Sequence, residues 1–251
     1  MISTSHKFTV GMINLPSLFS EDNYYETYKR IFKKAYKYKG AKSAPMAILG
    51  STIFVTSQQH YLDGECLPRL NMRSKPGQSG WEVLKWPCLR ALAREAENEV
   101  LNHLRRHDRE TLAKVLLFKQ LAPPELRLCG TFFHALALVG DLSNGHNHRH
   151  VDNHDLCSVI IMLGKGVTGG STLYYDENGE VARRVPFKHG RFQVGPFDQV
   201  KHAGGFWSGP RGILSFYVNR AMYEHFLKYD NDLLLKKKRL LGFDVLGYND
   251  K

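Results

Sequence analysis

The spacing of apolar residues divides the chain into a helical first half and a strand-rich second half. Over residues 87–107, apolar side chains recur at intervals of three and four, the spacing of one helix face, and Pro87 suits a first helical turn. A second helix is predicted from 109 to 121, ending before Pro123. An apolar run from Met46 to Thr56 predicts a strand.

From about Leu126 onward, short runs of β-type residues alternate with turns that contain glycine. The runs cover residues 131–139, 157–163, 171–175, 180–185, 191–194 and 211–219. Helices followed by many short strands favour an α+β fold, with the helices packed on one side of an antiparallel barrel. We expect one domain over 1–251, made of helical support and a substrate loop (1–125), a barrel core (126–220) and a C-terminal helix (221–251).

The net charge of +11 indicates an acidic partner, and nucleic acid is the commonest one for a basic protein. A helix predicted over residues 21–39 alternates basic and aromatic residues. A predicted loop over 57–80 carries Arg69 and Arg73, so we expect it to follow a phosphate backbone. The alternatives are a solvated helix face and an ordinary surface loop.

The sequence argues against a membrane or secreted protein. No apolar stretch approaches the ~20 residues that cross a bilayer, and the first residues lack the pattern of a secretory signal. The 4 cysteines are scattered without a Cys-x-x-Cys pair, which favours a reducing compartment. We expect an intracellular monomer, nuclear if the source is a eukaryote, that does not bind membranes.

The triplet His150-Val151-Asp152 supplies candidate metal ligands. Among the 12 histidines only His150 stands two residues before an aspartate, and on an extended strand end both side chains point to one side. His202 lies far enough along for several strands to return the chain to the same place. Two imidazoles and one carboxylate are the ligand set of non-haem Fe(II) oxygenases, which keep open positions for a co-substrate and O2.

The segment from Gly145 to Asp155 contains four histidines, which compete for one coordination position. His146 and His148 share the strand parity of His150 and suit hydrogen bonding around a metal. We prefer His150 because of its spacing from the aspartate. The alternative is a polar loop of solvated histidines.

Arg211 is the candidate anchor for a co-substrate. It follows a Gly-Pro pair and precedes an apolar run over 212–218. A guanidinium binds a carboxylate through two parallel hydrogen bonds, so Arg211 suits the far carboxylate of a dicarboxylic acid. The alternative is a structural salt bridge in a cupin-like metal protein that does not use 2-oxoglutarate.

Over roughly residues 126–220 the chain resembles the Fe(II)/2-oxoglutarate dioxygenase superfamily. The motifs that carry the resemblance are His150-x-Asp152, the run from Gly169 to Tyr175, the run from Gly190 to Phe197, His202 and Arg211. The resemblance implies a double-stranded β-helix, or jelly-roll barrel, in which His150, Asp152 and His202 bind Fe(II). It also implies that Arg211, helped by Ser215, holds 2-oxoglutarate.

Within the superfamily, the basic charge and the helices before the barrel resemble the TET and J-binding-protein branch, which oxidises the 5-methyl group of cytosine or thymine in DNA. In that branch the residue three after the metal aspartate tends to face the target base, and here it is Asp155. A carboxylate accepts hydrogen bonds and suits the amino group of cytosine; capping a turn or orienting His150 is the alternative. Asn219 stands where the TET enzymes tend to have a base-contacting histidine. Further candidates for contacting the substrate are Asn153, Arg69 and Arg73.

The sequence leaves the co-substrate and the substrate open. The chain lacks the cysteine-rich zinc region of the animal enzymes, so it would be a minimal form. An algal offshoot of the branch has a similar metal spacing and uses ascorbate, which is therefore the alternative co-substrate. A dioxygenase acting on a protein, RNA or small molecule, and a non-enzymatic binding module with a degenerate barrel, are the competing functions.

Overall fold

The computed structural model describes residues 7–38, 46–55, 66–139 and 155–228. The helices within these ranges are α1 (Tyr24–Lys34), α2 (Ser79–Leu84), α3 (Pro87–His107), α4 (Arg109–Leu121) and α5 (Arg220–Lys228). The strands are β1 (Thr9–Met12), β2 (Tyr36–Tyr38), β3 (Met46–Val55), β4 (Cys66–Leu70), β5 (Ala135–Val139), β6 (Asp155–Gly164), β7 (Thr168–Gly169), β8 (Thr172–Tyr175), β9 (Val181–Val185), β10 (Arg191–Val194), β11 (His202–Gly204), β12 (Trp207–Ser208) and β13 (Arg211–Asn219).

Most strands belong to one large antiparallel sheet. Its 8 strands follow the order β1-β10-β6-β13-β5-β3-β2, with β4 paired to β3. A smaller sheet of 3 strands has the order β11-β8-β9, and β12 pairs with β7. The predicted α+β class, with helices beside antiparallel sheets, is confirmed.

Alternation along β13 and β6 assigns each side chain to one of two faces. Leu214, Phe216 and Val218 lie in the core between the large sheet and the helices. Because successive side chains of a strand point to opposite faces, the intervening residues point away from the helices. We call this second surface the inner face. Its residues on the two strands are Arg211, Ile213, Ser215, Tyr217, Ser158, Ile160 and Met162.

The segment before residue 126 contributes strands to the large sheet as well as helices. β1 pairs with β10 at one edge, and β3 extends the other edge beyond β5. The helix predicted over 21–39 ends at Lys34, because Ala35 is extended (ψ 163°) and β2 pairs with β3 instead. Pairing with a neighbouring strand therefore overrides the helical spacing of this segment.

Two further predictions fall partly outside the described residues. The predicted loop over 57–80 contains β4 and the start of α2, and residues 56–65 lie outside the described ranges. The C-terminal helix begins at Arg220, and residues 229–251 also lie outside them. The division into 1–125, 126–220 and 221–251 stays a prediction.

Glu97 connects the helical layer to the segment that leads into the sheet. This α3 carboxylate is 8% exposed. It accepts a hydrogen bond from the backbone N–H of Phe132 at 2.7 Å and an ion-pair contact from Lys119 of α4 at 2.9 Å. Three parts of the chain thus meet at one buried charge whose oxygens are satisfied.

Replacing Glu97 with alanine is expected to lower the free energy of unfolding by about 3 kcal/mol, because the buried Phe132 N–H and the Lys119 ammonium lose their acceptor. Urea denaturation measures the change. The matched control is Glu110→Ala, which breaks an exposed helix pair with Lys114 and should have a much smaller effect. Equal losses in the two variants would contradict a structural role for the Glu97 contacts.

Candidate metal and co-substrate site

The ring of His202 is oriented by a contact to the backbone. It is the first residue of β11 and is 3% exposed. Its Nδ1 lies 3.0 Å from the carbonyl oxygen of Val200. A carbonyl only accepts hydrogen bonds, so Nδ1 donates, and Nε2 is the nitrogen that would bind a metal.

A buried amide fixes the strand of His202 against the large sheet. His202 is paired with Tyr174 of β8, whose hydroxyl donates to Oε1 of Gln193 at 2.6 Å. Nε2 of Gln193 donates to Oγ1 of Thr172 at 2.8 Å. Since Gln193 belongs to β10 of the large sheet and is fully buried, its side chain connects the two sheets across the barrel.

The other two predicted metal ligands, His150 and Asp152, lie outside the described residues, as does the substrate candidate Asn153. Within the described ranges, no group of three or more histidine, cysteine, aspartate or glutamate side chains is arranged to hold a metal ion. A metal site at His202 therefore needs ligands from the remaining residues, and the predicted triplet belongs to these.

Arg211 is a buried cation on the inner face. It is 4% exposed, and its Cζ lies 4.5 Å from the centroid of the Trp207 ring. Gly170, at φ +70°, makes room for it, because a Cβ there would lie 3.3 Å from Cδ of Arg211. Nε of Arg211 has no hydrogen-bond partner in the part of the chain that the structure describes. Burial lowers the pKa of the guanidinium to about 10.

These features fit a bound carboxylate better than a structural salt bridge. No ion pair to Arg211 occurs among the described residues, and an unpaired buried cation is costly. Ser215 lies on the same face of β13, four residues further along. An acid that occupies the inner space would satisfy the open N–H of Arg211.

The structure brings two of the predicted substrate residues together. Asp155 and Asn219 are register partners at the ends of β6 and β13, next to a bulge after Val218. This end of the two strands is opposite to the end that carries Arg211. Both side chains are half-buried.

The two loop arginines lie elsewhere. Arg69 is exposed on β4, opposite Thr52. Arg73 is also exposed and donates to the carbonyl oxygen of Lys33, at the end of α1, at 3.4 Å. This contact ties Arg73 to the helical layer, and its role in binding a substrate stays a prediction.

Three buried polar residues near the candidate site were not identified from the sequence. Gln193 lies in a run whose glycines and aromatic residues carried the resemblance, and the signal was a polar side chain between the apolar Phe192 and Val194. His134 and Ser158 also lie inside apolar runs. Their positions depend on which strands pair, and the sequence pattern alone does not specify that.

The fold is similar to that of a solved structure, although the sequence matches no known family. No protein-family model matches the chain, and no curated protein matches it. Its structure is similar to NgTET1 in complex with 5mC DNA, with a TM-score of 0.56 and 14% identity over 86% of this chain and 73% of that one. The fold is the predicted jelly roll.

Two further solved structures are more distant. A Pseudomonas putida prolyl-4-hydroxylase has a TM-score of 0.45 and 14% identity over 86% of this chain and 94% of that one. A 2OG-Fe(II) oxygenase family oxidoreductase from Burkholderia pseudomallei has a TM-score of 0.43 and 14% identity over 84% of this chain and 82% of that one.

No α-helix within the described ranges has the length and apolar character to span a bilayer.

Arg211→Met is expected to raise the free energy of unfolding of the free protein by about 1–2 kcal/mol at pH 7. Methionine removes an unpaired buried charge, and this gain exceeds the lost stacking on Trp207. The folded-state pKa of Arg211, about 10, lies below the ordinary arginine pKa of 12.5. The burial penalty is therefore fully present at pH 7 and is relieved only as the pH rises through and above 10.

Chemical denaturation at pH 7 measures this difference. The matched control is Arg184→Met on β9, where the arginine is exposed and the change should be small. A clear loss of stability in Arg211→Met would mean that the guanidinium has a structural partner.

Proposed function

We propose that the chain is an Fe(II)- and 2-oxoglutarate-dependent dioxygenase that oxidises the 5-methyl group of 5-methylcytosine in DNA. The observation that carries the proposal is Arg211, a buried guanidinium on the inner face with an open N–H. His202 supports it, because it is buried and its Nδ1 is held by a backbone carbonyl, an arrangement that suits a metal-binding histidine.

Different residues would bind Fe(II) and 2-oxoglutarate. His202, together with His150 and Asp152, would hold Fe(II), and Arg211 with Ser215 would hold the distal carboxylate of 2-oxoglutarate. Fe(II), 2-oxoglutarate and O2 would supply the oxidising chemistry. The chain supplies position through the Gln193 bridge, and the apolar inner-face residues Ile160 and Ile213 help to exclude water.

Three observations favour DNA as the substrate. The net charge of +11 suits a polyanion. NgTET1, which shares the fold, was solved with 5mC DNA, and this is an argument by analogy of fold. Asp155 and Asn219 are register partners at the strand ends away from Arg211, where a base flipped out of the duplex would enter. A single domain over 1–251, a monomeric state and, in a eukaryote, a nuclear location belong to the same proposal.

Nucleoside mass spectrometry tests the reaction. Duplex DNA containing 5-methylcytosine is incubated with Fe(II)-loaded protein in air, with 2-oxoglutarate or ascorbate in parallel tubes. We expect oxidised 5-methylcytosine with 2-oxoglutarate, whereas product with ascorbate alone would assign the alternative co-substrate. His202→Ala should lower the product at least ~100-fold, and the exposed His107→Ala should leave it unchanged. Consumption of 2-oxoglutarate without any change in the DNA would redirect the search to protein, RNA or small-molecule substrates.

Binding of 2-oxoglutarate should depend on Arg211. A ligand that binds only the folded state raises the melting temperature by mass action. We expect 2-oxoglutarate to raise the melting temperature of the metal-loaded wild-type protein and of Arg184→Met by several degrees, and to leave that of Arg211→Met unchanged. A full shift in Arg211→Met would exclude this arginine as the anchor.

A further inference from the structure

His134 offers a buried hydrogen-bond acceptor that no described residue uses. It precedes β5 and is 2% exposed. Its Nδ1 lies 2.8 Å from the carbonyl oxygen of Ser51, so Nδ1 carries the proton and Nε2 accepts. Nε2 is buried and has no hydrogen-bond partner in the described part of the chain. Burial lowers the pKa of His134 to about 4, so the ring is neutral at pH 7.

Ser158 presents a second unsatisfied group close by. It is 1% exposed on the inner face of β6, and its Oγ lacks a hydrogen-bond partner among the described residues. Its register partner is Tyr217 of β13, whose ring centroid lies 5.1 Å from that of His134 in an edge-on arrangement. A buried polar group without a partner costs about 1–3 kcal/mol and is uncommon, so two beside one tyrosine point to a ligand.

This cluster lies at the substrate end of the barrel. Tyr217 is two residues from Asn219, the register partner of Asp155. Arg211 is six residues away along the same strand, which corresponds to about 20 Å. The unsatisfied groups of His134 and Ser158 are therefore separate from the candidate co-substrate anchor.

The spacing of the strands suits one aromatic ring. Ser158 and His134 belong to chain segments on either side of β13, and neighbouring strands lie about 4.8 Å apart. Roughly 10 Å therefore separates the two backbones, with Tyr217 between them. A six-membered ring above Tyr217 would present polar edges to both side chains. The Ser158 hydroxyl can donate or accept a hydrogen bond. In the tautomer of His134 that carries its proton on Nδ1, Nε2 is only an acceptor and therefore needs an N–H or O–H donor.

We propose that His134 and Ser158 form a polar wall of the substrate pocket, in which Nε2 of His134 accepts a hydrogen bond from the exocyclic amino group of a 5-methylcytosine base. This inference rests on the proposed function and adds a second acceptor, in addition to Asp155, that distinguishes methylcytosine from thymine. Thymine carries a carbonyl oxygen at the position of the amino group, and two acceptors facing each other are unfavourable.

A cycle of protein and substrate changes tests the contact. Wild-type protein and His134→Phe are each given DNA with 5-methylcytosine and DNA with 5-methyl-2-pyrimidinone, which lacks the amino group. In the wild type, loss of the amino group should lower kcat/KM at least about tenfold. In His134→Phe, kcat/KM on 5-methylcytosine should fall severalfold, and the amino group should then make a clearly smaller difference than in the wild type. Fluorescence anisotropy should show the same pattern in the Kd of each DNA.

Further variants separate this contact from a structural role. His134→Gln keeps an acceptor and should restore part of the preference for the amino group, whereas Ser158→Ala should weaken binding of both DNAs. His103, a buried histidine of α3 bonded to Thr9, provides the matched control His103→Phe, which should keep the wild-type preference. The 2-oxoglutarate-induced melting shift verifies that each variant is folded, and His134→Leu replaces the phenylalanine variant if that one is not.

Two results would overturn the inference. In one, the losses from His134→Phe and from the missing amino group multiply, which means that the two groups do not touch. In the other, His134→Phe keeps the wild-type kcat/KM on 5-methylcytosine. If the proposed function itself is wrong, the wild-type protein would leave 5-methylcytosine unoxidised. That result differs from both of these, because they are measured on a wild-type protein that oxidises this base.

Discussion

The pairing of β6 with β13 is the constraint on which the barrel depends. Nine residues of β13 are in register with β6, and each alternate side chain is committed either to the helical core or to the inner face. The apolar set Leu214, Phe216 and Val218 fixes this choice, because turning it inward would place Arg211 and Ser215 against the apolar side chains of the helices. The chemistry of the inner face is therefore determined by the packing of the outer one.

Where several local signals agreed, the sequence predicted the fold well. α3 and α4 have the predicted bounds because apolar spacing agrees with the first-turn proline of α3 and with Pro123 after α4. β10 and β13 also match their predicted ranges. The two- and three-residue strands β7, β11 and β12 were not predicted, since they are too short for a periodic pattern and exist through pairing with other strands.

The candidate site divides in the same way. His202 and Arg211 were found because their residue types and spacing form a motif, and the structure buries both. Gln193, His134 and Ser158 carry no such signal, because each acquires its position from cross-strand register or from a contact between sheets. Motifs identify residues that bind through their own chemistry, whereas register identifies the residues that orient or surround them.

The unpaired burial of Arg211 has a consequence outside catalysis. A buried cation without a counter-ion lowers the stability of the free protein, and a bound carboxylate would return that free energy. The fraction of chains that unfold, and so become exposed to proteases, would then rise when the acid is scarce. Through this one side chain, the lifetime of the protein in a cell would depend on the supply of a small metabolite.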